Sequence, residues 1–285
     1  MLSSLLPMVL AASPYFFVDG HTLFRAEVEL ADAPSSGRVA VRELSRRAVK
    51  LPGLVIGHAQ RDAEDVAVVC PPTLQRTDAA EACEVFFIDA RGVATPLGFK
   101  ALSAQLLPGP HREVLLWTAA LELLKLRDGR TEVLARGVLE PRLAADGKAI
   151  GVAIAPGLTQ LVPGFDACPF VLTGSELRRL AGPCEAQAPF LSSSGTALWI
   201  STSGGQAHPV VDGVSLPAMP VPGRELVWLD GHRALFTARY DTDTLWVLDV
   251  KSGAAQQLGA GREPALVAGR VLAFDGRQVV QVEAR

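Results

Sequence analysis

The side chains best able to do chemistry in this chain are four cysteines, five histidines and a few clustered carboxylates. Cys70 and Cys83 form one local pair, 13 residues apart, and Cys168 and Cys184 another, 16 apart. Neither pair has the Cys-x-x-Cys spacing of zinc or dithiol redox sites. In a reducing compartment all four would be small core residues. In an oxidising one they would close two bridges, Cys70–Cys83 and Cys168–Cys184, each stabilising by about 3 kcal/mol in the chain-entropy model.

The histidines are His21, His58, His111, His208 and His232. They form no HExxH motif and no cluster with cysteine. Tyr240-Asp241-Thr242-Asp243 sets two carboxylates close together, a thin start for a calcium site, which needs six to eight oxygens. Asp62, Glu64 and Asp65 read as a charged turn, and Ser192–Ser194 as turn chemistry. No GxGxxG, P-loop or GxSxG motif occurs. No catalytic, cofactor-binding or metal-binding residue is expected, and no cofactor.

The elements that must position these residues come from a repeat. Apolar segments begin at Thr22, Asp65, Glu113, Ala149, Ala197, Ala234 and Val271 (TLFRAEV, DVAVVCP, EVLLWTA, AIGVAIA, ALWISTS, ALFTARY, VLAFDGR). A second series follows the first, from Arg38, Glu84, Leu121, Phe170, His208, Thr244 and Gln278. Strand repeats of roughly 40–45 residues are the signature of a β-propeller. The fold expected is all-β: about seven four-stranded blades, with strands A to D in each. Hairpin turns fit this phase, as at Asp19-Gly20, Asp128-Gly129, Asp212-Gly213, Asp230-Gly231 and Ala268-Gly269. Strand D reads as AVKLPG, ATPLGF, TEVLARG, ELRRLAG, SLPAMPV and AQQLGAG. Pro52, Pro96, Pro217 and Pro220 fall there, as suits an outer edge strand. The stretch 112–126 (REVLLWTAALELLKL) has helix propensity, but the repeat places strands B and C in it. FVDGHTLF from Phe17 echoes WLDGHRALF from Trp228, which puts His21 and His232 at equivalent turns.

EPRLAADGK from Glu140, APFLSSSGT from Ala188 and EPALVAGR from Glu263 resemble TolB-type, WD-repeat-like propeller repeats. There a proline leads into a strand, followed by a Ser/Asp/Gly turn and a β-rich strand. The resemblance covers about three blades well and residues 14–285 loosely. It implies the propeller fold and little about activity.

The first residues, MLSSLLPMVLAAS, resemble a short secretory signal over residues 1–13, cleaved near Ala11 or Ser13. Residues 14–285 then form one propeller domain. A rival reading makes Ser3–Ala11 the missing fourth strand of the last blade; the two exclude one another. On the propeller frame the A–B and C–D turns are tight. The other face carries long connections, read as B–C loops Pro71–Ala82 and Pro156–Ala167 and a D–A loop Phe99–Pro110. All four cysteines flank this face. Trp117, Trp199, Trp228 and Trp246 sit in strands and read as inter-blade packing.

Function follows only coarsely. Hydrophobic residues make up 49% of the 285, enough for a sizeable core, and the formal net charge is −3. That charge argues against nucleic-acid binding. No later apolar run reaches the length of a spanning helix. The expectation is a monomeric, non-catalytic binding or scaffold propeller, periplasmic or secreted, offering its loop-rich face to a protein partner. The alternative is a small lactonase-like hydrolase with a metal in the central channel; inner strands almost free of carboxylates disfavour it. A cytoplasmic hub with free thiols is the third reading.

Overall fold

The computed structural model describes residues 12–282 apart from 33–38, 73–82, 110, 161–166, 183, 185–186, 202–207, 217–219, 221 and 239–240. Both readings of the N-terminus fall mainly on residues 1–11, outside the described residues, as does Pro217. No helix occurs among the described residues, and so none is long and apolar enough to cross a membrane.

The strands form seven antiparallel sheets, each built from consecutive strands. Blade 1 is β1 (Ser13–Asp19), β2 (Thr22–Asp32) and β3 (Val39–Ala48). Blade 2 is β4 (Leu54–Arg61), β5 (Glu64–Cys70), β6 (Glu84–Ile88) and β7 (Ala94–Lys100). Blade 3 is β8 (Ser103–Leu106), β9 (Glu113–Trp117), β10 (Glu122–Arg127) and β11 (Arg130–Arg136). Blade 4 is β12 (Val138–Leu143), β13 (Ile150–Ile154), β14 (Cys168–Thr173) and β15 (Glu176–Arg179). Blade 5 is β16 (Phe190–Leu191), β17 (Ala197–Ser201), β18 (His208–Val211) and β19 (Val214–Ser215). Blade 6 is β20 (Pro222–Trp228), β21 (Arg233–Ala238), β22 (Asp241–Asp249) and β23 (Ala254–Ala260). Blade 7 is β24 (Arg262–Val267), β25 (Arg270–Phe274) and β26 (Val279–Gln281).

The core lies between blades. Side chains alternate along a strand, so each blade offers one face to the blade before it and one to the blade after. In β5, Ala67 and Val69 pack with Phe16 and Leu23 of blade 1, while Val66 and Val68 pack with Val114 and Leu116 of blade 3. Comparable clusters join every successive pair of blades, including 7 to 1. Burial on both faces removes polar alternation from the middle strands. IGVAI of β13 and ALWIS of β17 are buried throughout.

The first strand of each blade is innermost, next to its counterparts in neighbouring blades. Its inward edge has no strand partner among the described residues, so proline is tolerated there as well as on the outer edge. Pro14, Pro141, Pro222 and Pro264 stand in first strands, and Pro96 in the outer strand β7. Two glutamines satisfy that inner edge. Gln60 accepts from Phe16 N and donates to Pro14 O, while Gln105 accepts from Leu143 N and donates to Pro141 O. Each amide thus pairs with the neighbouring blade's first strand as a short length of strand would.

Most expected turns form. At Asp128-Gly129, Asp212-Gly213 and Ala268-Gly269 both residues have positive φ, as type I′ hairpins require. The stretch 112–126 is β9 and β10, paired from Leu123↔Trp117 to Arg127↔Glu113.

Three boundaries differ from the sequence reading. AVKLPG is not a fourth strand of blade 1. β3 continues to Ala48, and residues 49–53, with Pro52 among them, only carry the chain inward to β4. Nor is Phe99–Pro110 a long D–A loop. β7 runs to Lys100 and β8 starts at Ser103, so this stretch holds blade 3's first strand. Pro220 likewise stands between β19 and β20 rather than in an outer strand.

Blades 7 and 1 meet without exchanging a strand among the described residues. Side chains hold the seam. The rings of Phe17 and Phe274 stack with centroids 4.2 Å apart, and the guanidinium of Arg46 lies 5.2 and 5.1 Å from them. Arg46 also pairs with Glu43 and donates to Arg277 O, and Arg262 pairs with Asp19 at 2.5 Å.

Candidate functional site

Two features stand out: a loop-rich face tied by both disulfides, and a mostly buried histidine on an inner strand.

The disulfides are Cys70–Cys83 and Cys168–Cys184. Cys70 ends β5 and Cys83 precedes β6, so the first bridge closes the base of the 71–83 connection. Both sulfurs lie in the core between blades 2 and 3. Cys168 opens β14 and Cys184 lies beyond the end of β15, so the second bridge ties the open end of that outer hairpin. This pair is only half-buried. Strand direction places both bridges at the same end of the ring. The long connections there belong to blades 1, 2, 4 and 5. Blades 3 and 7 turn tightly at that end, over 118–121 and 275–278.

The histidine is His58, on the first strand of blade 2, its side chain 13% exposed. Its Nδ1 lies 2.8 Å from Asp65 Oδ2 and its Nε2 3.0 Å from Glu263 Oε2. Asp65 is wholly buried on β5, where its other oxygen accepts from Ala59 N. Glu263 comes from the first strand of blade 7. A β-bulge carries it: Arg262 pairs with Phe274 and Ala265 with Leu272, leaving Glu263 and Pro264 opposite Ala273. Glu263 has φ +53°, and the bulge re-aims its side chain across blade 1. On the way its carboxylate accepts from Val18 N, and its carbonyl accepts from the Tyr15 hydroxyl. Three blades therefore meet at one side chain.

Burial works against a charge on His58. The charges of Asp65 and Glu263, and their hydrogen bonds, outweigh it and hold the imidazole well above its ordinary value. An imidazolium donates from both nitrogens and satisfies both carboxylates at once. Neither nitrogen is left to take a proton or bind a metal, so the arrangement acts as a clasp.

None of these three residues stands out in the sequence. Asp65 reads there as part of a charged turn; only Asp62 and Ala63 are the turn, and Asp65 points inward from β5. The inner strands read as almost free of carboxylates, but β12 and β24 begin early enough to include Glu140 and Glu263. Glu140 pairs with Arg142 on the same strand at 3.1 Å. The one available signal is the Glu-Pro pair shared by residues 140–141 and 263–264.

The other candidates stay apart. His21 and His232 lie in equivalent turns, and their carbonyls accept from Val55 N and Val250 N. Asp241 and Asp243 lie in β22, and Asp243 is exposed, 3.6 Å from Arg262; Tyr240 lies outside the described residues. Ser192 and Ser194 share a hydrogen bond within a turn. Among the described residues, no three His, Cys, Asp or Glu side chains are arranged to hold a metal ion. The four tryptophans pack in inter-blade clusters, and Trp117 Nε1 donates to Val138 O of blade 4.

No protein-family model and no curated protein matches the chain. The likeness is to solved structures. TolB from Acinetobacter baumannii superposes with a TM-score of 0.58 at 13% identity, covering 88% of this chain and 64% of that one. Tricorn protease gives 0.55 at 11% identity, covering 99% of this chain and 36% of that one. The propeller domain of the trilobed protease from Pyrococcus furiosus, which has an open velcro topology, gives 0.53 at 11%, covering 95% and 96%. This chain therefore spans less than two thirds of the first and about a third of the second, and at such identities the likeness is one of fold. In fold, the chain is a seven-bladed β-propeller similar to that of TolB.

Proposed function

We propose that this propeller is an exported, non-catalytic binding or scaffold module that presents its loop-rich face to a protein partner. The observation that carries this reading is the position of the disulfides: both sit at the same end of the ring, at the bases of its long connections. Bridges of this kind belong to oxidising compartments. Long connections held on a rigid scaffold are a common place for recognition. The rival reading, a hydrolase with a metal in the channel, needs free carboxylates converging from several blades. Asp65 and Glu263 are both engaged by His58, which favours the binding reading.

Site-specific photo-crosslinking in the cells that make the protein tests it. A photoreactive residue is placed at Pro72 or Thr159 on the loop-rich face, and at Lys148 or Lys251 on the tight-turn face. One partner protein captured from both loop-face positions and from neither tight-turn position is expected. Capture only from the tight-turn face, or from neither, overturns the proposal.

A further inference from the structure

We propose that Cys168–Cys184 is a thiol–disulfide exchange site, opened selectively by small thiols while Cys70–Cys83 stays closed. The two bridges differ in three ways. Cys70 and Cys83 are 4% and 0% exposed within an apolar cluster, whereas Cys168 and Cys184 are both half-buried. The buried pair joins the two central strands of blade 2. The other ties an outer-edge hairpin whose last rung, Phe170↔Arg179, is held by backbone pairing without it. Finally, the guanidinium of Arg179, on the exposed strand β15, donates from Nη2 to Cys184 Sγ at 3.4 Å.

That contact gives the reaction a direction. A thiolate attacks Cys168 Sγ, the S–S bond breaks, and the electron pair leaves on Cys184 Sγ as a thiolate beside the Arg179 cation. A cation next to a sulfur lowers its thiol pKa, and a thiol of lower pKa leaves faster. The product is a mixed disulfide on Cys168. A second thiolate then attacks the reagent's sulfur, releasing Cys168 as a thiolate that takes up a proton. Two reagent thiols are oxidised to one disulfide, and one protein disulfide is reduced to two thiols. Opening unties the connection between blades 4 and 5, on the loop-rich face, from the start of β14.

The test uses the purified full chain with reduced glutathione, quenching with N-ethylmaleimide and peptide mass mapping. Cys168 and Cys184 are expected to open at least about tenfold faster than the buried pair, with the glutathione adduct on Cys168. Arg179→Gln is expected to slow opening about threefold or more, and Arg179→Lys to restore part of the rate. Equal rates for the two bridges, faster opening of Cys70–Cys83, an adduct on Cys184, or an Arg179→Gln rate equal to the parent's would each overturn the proposal. The selectivity and the adduct position are read on the unmodified protein, so the test stands even if a variant fails to fold.

Discussion

His58 of blade 2 and Glu263 of blade 7 meet across blade 1, with Nε2 and Oε2 3.0 Å apart. They are 205 residues apart in the chain. The contact exists only when the ring is closed, and it straddles the seam that no strand crosses among the described residues. With the Phe17–Phe274 stack and the Arg262–Asp19 pair, it gives blades 7 and 1 a side-chain closure.

Removing His58 leaves two carboxylates facing each other beside blade 1. Breaking a buried ion pair by deleting one partner costs about 3–5 kcal/mol. His58→Ala is expected to lose that much stability in urea unfolding. A loss below about 1 kcal/mol would mean the clasp contributes little.

The same clasp sets a pH dependence. The pKa of His58 is raised on folding. Its contribution is therefore fully present below the unfolded value, near 6.5, and is lost as pH rises through the folded value. Urea unfolding of the parent and of His58→Gln across pH is expected to give a stability gap that is widest at pH about 6 and shrinks on the alkaline side. A gap that widens with rising pH would contradict the assignment of charges.

The aromatic seam makes a separate demand. Phe17 is wholly buried and stacked on Phe274. Phe17→Ala should cost about 3–5 kcal/mol, from lost burial and the cavity left behind. Differential scanning calorimetry would read this as a lowered Tm. An unchanged Tm would show that the blade 7–1 contact does not limit stability.

Blade spacing can be probed at a glycine. A Cβ on Gly151 of β13 would overlap the Pro189 carbonyl oxygen, a backbone atom that cannot swing aside. Gly151→Ala is expected to cost about 3 kcal/mol in urea unfolding. Gly20→Ala is the control: nothing lies near its Cβ, and only its φ of +63° opposes the change, at about 1 kcal/mol. Similar losses for the two would argue against close contact between blades 4 and 5.

The blades are legible in the sequence for a physical reason. Middle strands bury both faces, so they read as apolar runs, and the turns between them need positive φ and therefore carry glycine. The cysteine pairing is legible because each bridge is local, flanking one connection or one hairpin. SAQL of β8 is not, since its polar–apolar alternation lasts only four residues. The short outer edge of blade 1 is hidden for a related reason. AVKLPG has the length and proline of an outer strand, yet its first residue, Ala48, already ends β3, and residues 49–53 are the link to β4. The His58 clasp is not legible either. Its members come from two blades far apart in the chain, and only closure of the ring brings them together.

A propeller that works in an oxidising compartment must keep its buried bridge, Cys70–Cys83, closed in the cell. The most direct measurement traps thiols in intact cells with N-ethylmaleimide, then maps the label on the full-length product before and after reduction. Cys70 and Cys83 are expected to take no label until the protein is reduced, on a chain whose N-terminus begins near Ser13. Label on both cysteines without reduction, on a chain that keeps its first residues, would contradict the account and place the protein among cytoplasmic propellers with free thiols.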